Sequence, residues 1–340
     1  MPFCDHAHGL HAVMAGNGDP YSVLTTLRLR LLHALHDGSS ADELARSFDL
    51  DTDLVSAELA PLVEASLVVE AGGVLCPSVL NATEEETSRV DAHATTLGMR
   101  LAERLEQQWA ALERAFAELE VSGHWSFAEL AFLLVGDRIL DVGLLDALAR
   151  DGTLMPAAPA RPSPTQPDAR YYFWLIEGEH DLLGNYGQRT TSLRGGSWDL
   201  LSFGQYTIGD DVNVAREGLE RAVVETLGSD AELTPSVVAR QLGLPVLDRV
   251  DTARWGASER RVSEDLLSVY LEARPSLDEL FRSLNTASAP ATGFGEFFCW
   301  YDHVAYAHAI ESLAAAGFLT IPDERFTSAL WRESPDSVRF

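Results

Sequence analysis

A helical pattern of apolar positions that runs into a short turn and then an extended apolar stretch occurs three times along the chain. The three copies cover residues 59–69, 144–155 and 309–321. In the last two copies Gly152 or Gly317 follows the helical pattern, and Ser66 takes the place of the glycine in the first. Glycine just past the last helical turn adopts the left-handed conformation that ends a helix, and apolar residues after it begin a strand. The pattern therefore predicts three units in which a helix leads into a strand.

A helix that passes through such a turn into a hairpin resembles the end of a winged-helix domain. Residues 41–48 and 54–65 are a predicted helix-turn-helix, in which Ser40 caps the first helix and Glu43 occupies the capping-box position. A Gly-Gly turn between two short apolar runs then predicts the wing. We predict a mainly α fold with a small amount of β structure (α+β), composed of tandem winged-helix-like units and a small central antiparallel sheet.

Turns and changes of pattern divide the chain into five segments. We expect a flexible amino-terminal arm, a first winged-helix unit, a long connecting helix, a second unit with an extended sheet, and a third unit with a helical insertion. Their ranges are residues 1–20, 21–82, 83–123, 124–212 and 213–340. Asp137 is expected to cap a new helix in the second unit, and the strongest predicted strands, 171–177 and 198–208, form the central sheet. The apolar stripe of the long helix is typical of an interdomain strut or a homodimer seam.

The charge of the chain favours some classes of partner over others. Its 340 residues include 52 acidic side chains and 25 arginines but no lysine, which gives a formal net charge of −27. Such a field repels phosphate backbones unless basic residues share one face. Residues 54–65 and 302–316, which correspond to DNA-reading helices, offer acidic and neutral side chains, so DNA is a disfavoured partner. The lack of lysine fits either a genome that favours arginine and acidic surfaces or selection against primary amines.

The expected location is the cytoplasm. The chain has no run of about 18 apolar residues that could span a bilayer, and its start lacks the basic-then-apolar order of a secretory signal. Cys4, Cys76 and Cys299 are odd in number and far apart, which fits a reducing compartment and argues against a disulfide framework. No membrane partner is expected.

Residues 21–77 resemble the small winged-helix dimerisation domain that precedes the catalytic domain of many small-molecule O-methyltransferases. The Leu-Ala-Arg run at 44–46 and the acidic turn at 49–51 carry the resemblance. The resemblance implies a following domain with a glycine-rich nucleotide loop. The candidate loop at 139–145 lacks the later glycines and lies in a helical pattern, so no methyltransferase domain is predicted.

One set of candidate ligands lies in the amino-terminal segment. It comprises Cys4, His6, His8 and His11. Thiolate and imidazole are good ligands for zinc or iron, although the spacing matches no established zinc knuckle. Apart from zinc or iron at this cluster, no cofactor is predicted.

Further binding candidates lie near the strong strand and on the last long helix. They are Glu179, His180, Tyr186, Arg189, Arg194, Trp300, His303 and His308. The first five combine carboxylate, imidazole, aromatic and guanidinium groups, and the last three are predicted to pack or to line a pocket. No catalytic residue is predicted, because neither a nucleophile elbow nor a P-loop occurs.

Three functions stay open at this point. The leading hypothesis is a non-catalytic intracellular protein whose winged-helix units bind protein or peptide, for example by strand addition. The second is a DNA-binding transcription regulator with a surface of dispersed arginines. The third is an enzyme, or the partner of an enzyme, with its site at the middle sheet.

Overall fold

The computed structural model of the chain is mainly helical with small sheets, which confirms the predicted α+β class. It describes residues 3–71, 74–163, 166–178, 186–193, 198–205, 209–227, 237, 241–285, 292–324 and 326–332. Two compact units are present, and each is built from three separate stretches of sequence. Unit 1 comprises Met1–Ala94, Asp151–Leu183 and Leu271–Val304, and unit 2 comprises Thr95–Arg150, Gly184–Tyr270 and Ala305–Phe340.

The helices and strands alternate irregularly along the chain. The helices are α1 (Thr26–Ala34), α2 (Ala41–Phe48), α3 (Thr52–Glu64), α4 (Glu84–Ala117), α5 (Phe127–Ala131), α6 (Val142–Asp151), α7 (Gly209–Leu227), α8 (Arg249–Arg282) and α9 (Phe294–Ala315). A π-helical segment, Phe132–Asp141, joins α5 to α6. The strands are β1 (Phe3–Asp5), β2 (Leu10–Gly16), β3 (Val68–Ala71), β4 (Val74–Pro77), β5 (Leu80–Ala82), β6 (Tyr171–Glu177), β7 (Tyr186–Leu193), β8 (Trp198–Gln205), β9 (Val246–Leu247) and β10 (Phe326–Trp331).

Unit 1 contains a four-stranded sheet in the order β1-β2-β6-β5. Strand β2 runs antiparallel to β6, with Leu10 opposite Glu177, whereas β5 runs parallel to β6. Apolar side chains of the sheet and of α1 to α3 form one core, in which Leu29, Leu62 and Phe173 are completely buried. Burial of this apolar surface is the main stabilising contribution to unit 1.

The predicted flexible arm at residues 1–20 is wrong for most of its described length. Strands β1 and β2 pair antiparallel, with Cys4 opposite His11, and β2 is a central strand of the sheet. Gly9 has a φ of 60°, in the left-handed region that glycine adopts without strain. The glycines that the sequence pattern assigned to a loose segment therefore include a turn position between two paired strands.

Helices α2 and α3 and the β3–β4 hairpin occur where the sequence predicts two helices and a hairpin. Ser40 and Glu43 form a complete capping box at the start of α2. Ser39 forms an isolated antiparallel bridge with Leu75 of β4. Ser66 has a φ of 58° just after α3, so it takes the left-handed position that glycine occupies elsewhere.

The other two predicted helix ends are also present, but their wings are not. Gly152 and Gly317 have φ values of 69° and 79°, as the helix-ending role requires. Among residues 153–163 and 318–324, however, no strand follows the glycine, and only isolated bridges occur. Both stretches contain proline, which lacks the N–H that a strand ladder uses. The extended apolar pattern alone is therefore insufficient to predict a strand.

The predicted single central sheet is wrong. Strand β6 belongs to the sheet of unit 1, whereas β8 belongs to a second sheet, in unit 2, with the order β7-β8-β10-β9. In that sheet β8 pairs antiparallel with both β7 and β10, and β10 pairs parallel with β9. Strand β6 pairs with the distant strands β2 and β5, and β8 pairs with the distant β10 as well as with its neighbour β7. The local apolar pattern carries no information about the distant partners.

The predicted start of a new helix at Asp137 is also wrong. Helix α5, the π segment and α6 form one uninterrupted helical stretch, and Asp137 lies inside it rather than at a cap. All ten residues of the π segment are buried. Gly136 is required because a Cβ atom at this position would lie 2.6 Å from a ring carbon of Phe203. Close packing against β8 thus accompanies the unusual helical geometry.

Candidate functional site

Helix α3 presents one side to the core of unit 1 and the other to solvent. Val55, Leu59 and Leu62 are buried, and they lie three or four residues apart on one side of the helix. The opposite side is exposed and is called the α3 face. Its members are Asp53, Leu54, Ser56, Ala57, Ala60, Val63 and Glu64. Leu54 and Val63 of this face are 43% and 44% exposed.

The α3 face contains no basic side chain. Residues 21–82 contain nine acidic side chains and three arginines. Two of these arginines are in ion pairs, Arg28 with Glu58 at 2.8 Å and Arg30 with Asp5 at 2.5 Å. The third, Arg46, donates from Nε to the backbone oxygen of its own helix. This part of unit 1 is therefore a negatively charged surface with exposed apolar groups.

The hairpin that follows α3 has the same character. Val74 of β4 is 42% exposed, and Glu70 of β3 is exposed as well. The glycines at 72 and 73, which form the predicted turn, lie outside the described residues. The described strands of the hairpin thus add apolar and acidic groups, and no basic group, to the exposed surface of unit 1.

The structure brings together two of the four candidate metal ligands. His11 Nδ1 lies 3.3 Å from Cys4 Sγ, and burial raises the pKa of the Cys4 thiol to about 11. His8 instead faces the carboxylate of Asp5, at 3.2 Å. The side chain of His6 lies outside the described part of the structure. Among the described residues, no group of three or more His, Cys, Asp and Glu side chains is arranged to hold a metal ion.

Two of the candidates on α9 are buried in unit 1. Trp300 is 0% exposed, and the ring of His303 lies 5.1 Å from that of Trp174. His303 Nδ1 donates to the backbone oxygen of Cys299 at 2.7 Å. Burial lowers the pKa of His303 to about 4, so its imidazole is neutral at physiological pH. Both side chains therefore contribute to packing in the core.

The third candidate on α9 belongs to unit 2. His308 Nε2 lies 3.2 Å from the Thr95 hydroxyl, and His308 Nδ1 lies 3.8 Å from the Glu311 carboxylate. Its side chain is 19% exposed. His308 is thus a partly buried residue with polar neighbours on two helices.

The candidates that follow the strong strand divide into two groups. Tyr186 and Arg189 lie on β7; the tyrosine is buried, and the Arg189 guanidinium pairs with Glu220 of α7 at 3.2 Å. Glu220 also accepts the hydroxyl of Thr191, which fixes β7 to α7. The remaining candidates, Glu179, His180 and Arg194, lie outside the described residues.

A buried polar cluster in unit 2 is absent from the set of sequence candidates. Arg138 of the π segment contacts the Glu259 carboxylate at 3.2 Å and lies over the ring of Trp331. Asp137 is completely buried, and its Oδ2 accepts one hydrogen bond from Gln188 Nε2 at 3.2 Å. Burial raises the pKa of Asp137 to about 7. The available sequence signal is an Asp-Arg pair inside a long apolar run, a position where charges are costly unless paired.

Comparison with known proteins gives no relative from which a function could be transferred. No protein-family model matches the sequence, and neither the curated proteins nor the solved structures contain a match. Within the part of the chain that the structure describes, no helix is long and apolar enough to cross a membrane. The functional argument therefore depends on the surfaces of the two units.

Proposed function

We propose that this chain is a non-catalytic intracellular interaction protein that binds a polypeptide through the α3 face of a winged-helix unit. The order of α1, the bridged Ser39, α2, α3 and the β3–β4 hairpin supports the winged-helix assignment. In DNA-binding proteins of this architecture, the helix at the position of α3 enters the major groove. The absence of any basic side chain from the α3 face is the observation that carries the proposal.

Electrostatics makes a duplex a poor ligand for this face. DNA affinity comes largely from lysine and arginine side chains that neutralise phosphates, and base recognition in the major groove uses arginine, asparagine or glutamine. The α3 face offers Asp53 and Glu64 instead, together with alanines and exposed Leu54 and Val63. Carboxylates near exposed apolar groups match a polypeptide that carries arginine or lysine beside apolar side chains.

The intracellular location is part of the proposal. Cys4, Cys76 and Cys299 are all free thiols, which is the state that a reducing compartment maintains. Two copies of the α3 face would repel each other because both are acidic, so the occupant that we propose is a different, cationic polypeptide segment.

The test uses the full chain and a synthetic amphipathic peptide with leucine on one side and arginine on the other. Because a chain with a net charge of −27 attracts any cationic peptide, the decisive comparison is between variants. The variant L54S/V63S removes the exposed apolar groups of the α3 face. The matched control V224S/L271S removes one valine and one leucine of similar exposure, 51% and 41%, from other helices.

We expect L54S/V63S to weaken peptide binding about tenfold in fluorescence anisotropy, since two apolar contacts are lost. The control should bind like the wild type. Equal losses in both variants would contradict the proposal, as would a DNA duplex that binds more tightly than the peptide at the same salt concentration. Circular dichroism establishes that each variant is folded.

A further inference from the structure

The first half of α8 carries an exposed cationic face in this otherwise acidic chain. Four of the 25 arginines lie within residues 249–261, and all four are exposed. They are Arg249, Arg254, Arg260 and Arg261. Among the described residues, no carboxylate lies within 4.0 Å of any of them, and Arg254 donates instead to the backbone oxygen of Glu118. Their positive charges are therefore available to a partner.

The acidic residues of the same stretch are buried and engaged in unit 2. Asp251 is 1% exposed, and its carboxylate accepts the backbone N–H groups of Glu120 and Val121 at 2.7 and 3.0 Å. Glu259 is 6% exposed and pairs with Arg138. Because both carboxylates face inward, the outward side of α8 is cationic over this length.

The arginines form two margins with an apolar floor between them. At 3.6 residues per turn, Arg249 and Arg260 lie along one margin, and Arg254 and Arg261 lie along the other. The exposed positions between the margins are Val250, Ala253 and Ala257. Val250 is 46% exposed. This surface, the arginine track, is about 18 Å long, because a helix rises 1.5 Å per residue. Glu264 marks its end and pairs with Arg150.

We infer that the arginine track binds an acidic amphipathic polypeptide segment whose apolar side chains lie on the floor and whose carboxylates meet the arginines. The planar guanidinium group forms paired hydrogen bonds with carboxylates, which favours arginine at such margins. Arginines on both sides of an apolar strip complement a helix with glutamate or aspartate on both sides of an apolar stripe. About 12 residues of such a helix span the track.

The floor distinguishes this partner from nucleic acid. A phosphate backbone would use the arginines but would leave Val250 and the two alanines without apolar contact. The net charge of −27 opposes the approach of a duplex, whose charge density is much higher than that of a short peptide. The inference does not depend on the α3 face, which belongs to unit 1 and carries the opposite charge.

The test measures binding of a fluorescent peptide with leucine at helical spacing and glutamate on both flanks to the full chain. A peptide of the same composition in scrambled order and a short DNA duplex are the comparison probes. The variant R260Q/R261Q removes one arginine from each margin, and V250D places a charge on the floor. The matched control R46Q/R221Q removes two exposed arginines that donate to the backbone of their own helices.

We expect R260Q/R261Q and V250D each to weaken binding of the amphipathic peptide about tenfold, whereas R46Q/R221Q leaves it unchanged. The wild type should bind the scrambled peptide and the duplex more weakly. Equal binding of the scrambled peptide would overturn the inference, as would tighter binding of the duplex or equal losses in the control. Self-association of the chain that R260Q/R261Q abolishes would also overturn the inference, because a second copy would then occupy the track. Binding of the basic peptide by L54S/V63S is measured separately, so either proposal can fail without the other.

Discussion

Replacing Asp137 with asparagine tests whether a neutral side chain is what the π segment requires. Asp137 is completely buried and has one hydrogen bond, from Gln188, while its Oδ1 lacks a partner among the described residues. Arg138, the next residue in the chain, already pairs with Glu259. An ionised Asp137 would therefore be a poorly compensated buried charge, and burial raises its pKa from 3.8 to about 7. Asparagine has nearly the same shape but carries no charge.

The size of the effect follows from the linkage between protonation and folding. When a carboxyl group has a higher pKa in the folded protein than in the unfolded chain, the folded state loses stability as the pH rises from the unfolded-state pKa to the folded-state pKa. Each pH unit in that window lowers the free energy of unfolding by about 1.4 kcal/mol, so the full window of about 3 units corresponds to about 4 kcal/mol. Between about pH 5 and pH 8 the wild type should lose about 3 kcal/mol through this group. D137N should keep this stability, because the asparagine side chain does not ionise.

Urea unfolding of the full chain at several pH values, followed by tryptophan fluorescence, measures this difference. Near pH 5 the two proteins should be similar, because the unpaired amide of the asparagine costs about 1 to 2 kcal/mol. Near pH 8 D137N should be the more stable by about 2 kcal/mol. D199N, which removes another buried carboxyl in unit 2, is the control. A parallel change with pH in the free energies of unfolding of the wild type and D137N would refute the argument. If D199N shows the same change in pH dependence as D137N, the effect is not specific to Asp137.

Three further substitutions test the packing and the charges. G136A should lower the free energy of unfolding by about 1 to 3 kcal/mol, because its Cβ would meet Phe203, and calorimetry measures the loss. E296A leaves the guanidinium of Arg161 buried with the backbone oxygens of Ser78 and Tyr171 but without its carboxylate partner. It should lower the free energy of unfolding in urea by about 3 to 5 kcal/mol, and a loss below about 1 kcal/mol would contradict a role for the ion pair. His36 donates a hydrogen bond to the buried carboxylate of Glu86, which raises the pKa of His36, so the stabilisation by this pair is present at low pH and lost as pH rises through the raised pKa. H36Q should remove this pH dependence, and a pKa of His36 at or below 6.5 in an NMR titration would contradict the argument.

The first helices of unit 1 could be predicted because their signals are local. A capping box at Ser40 and a left-handed position at Ser66 are set by neighbouring residues, and the structure has both. The partners of β6 and β8 could not be predicted, because strand pairing across more than a hundred residues leaves no local signal. The π segment, in which Gly136 packs against the distant Phe203 of β8, was not predicted either.

The candidate surfaces differ in the same way. The acidic character of α3 follows directly from residues 52–64, which contain no basic residue. The arginine track cannot be inferred from composition, because residues 249–264 contain three acidic residues beside four arginines. Only the burial of Asp251 and Glu259 leaves the exposed side cationic. The sequence shows both signs of charge in this stretch, and only the tertiary structure shows which of them are exposed.

The separation of charge also limits what kind of molecule can occupy both surfaces. The occupant that we propose for the α3 face is cationic, whereas the one that we propose for the arginine track is anionic. A nucleic acid carries one sign of charge along its whole length, so it cannot complement both, and neither can a uniformly basic or acidic tail. A polypeptide can carry a basic segment or an acidic one, so a polypeptide is the class of partner that fits both proposals. A partner that loses affinity in L54S/V63S but not in R260Q/R261Q would bind the α3 face alone, and the opposite result would assign it to the arginine track, so the two variants separate the two proposals.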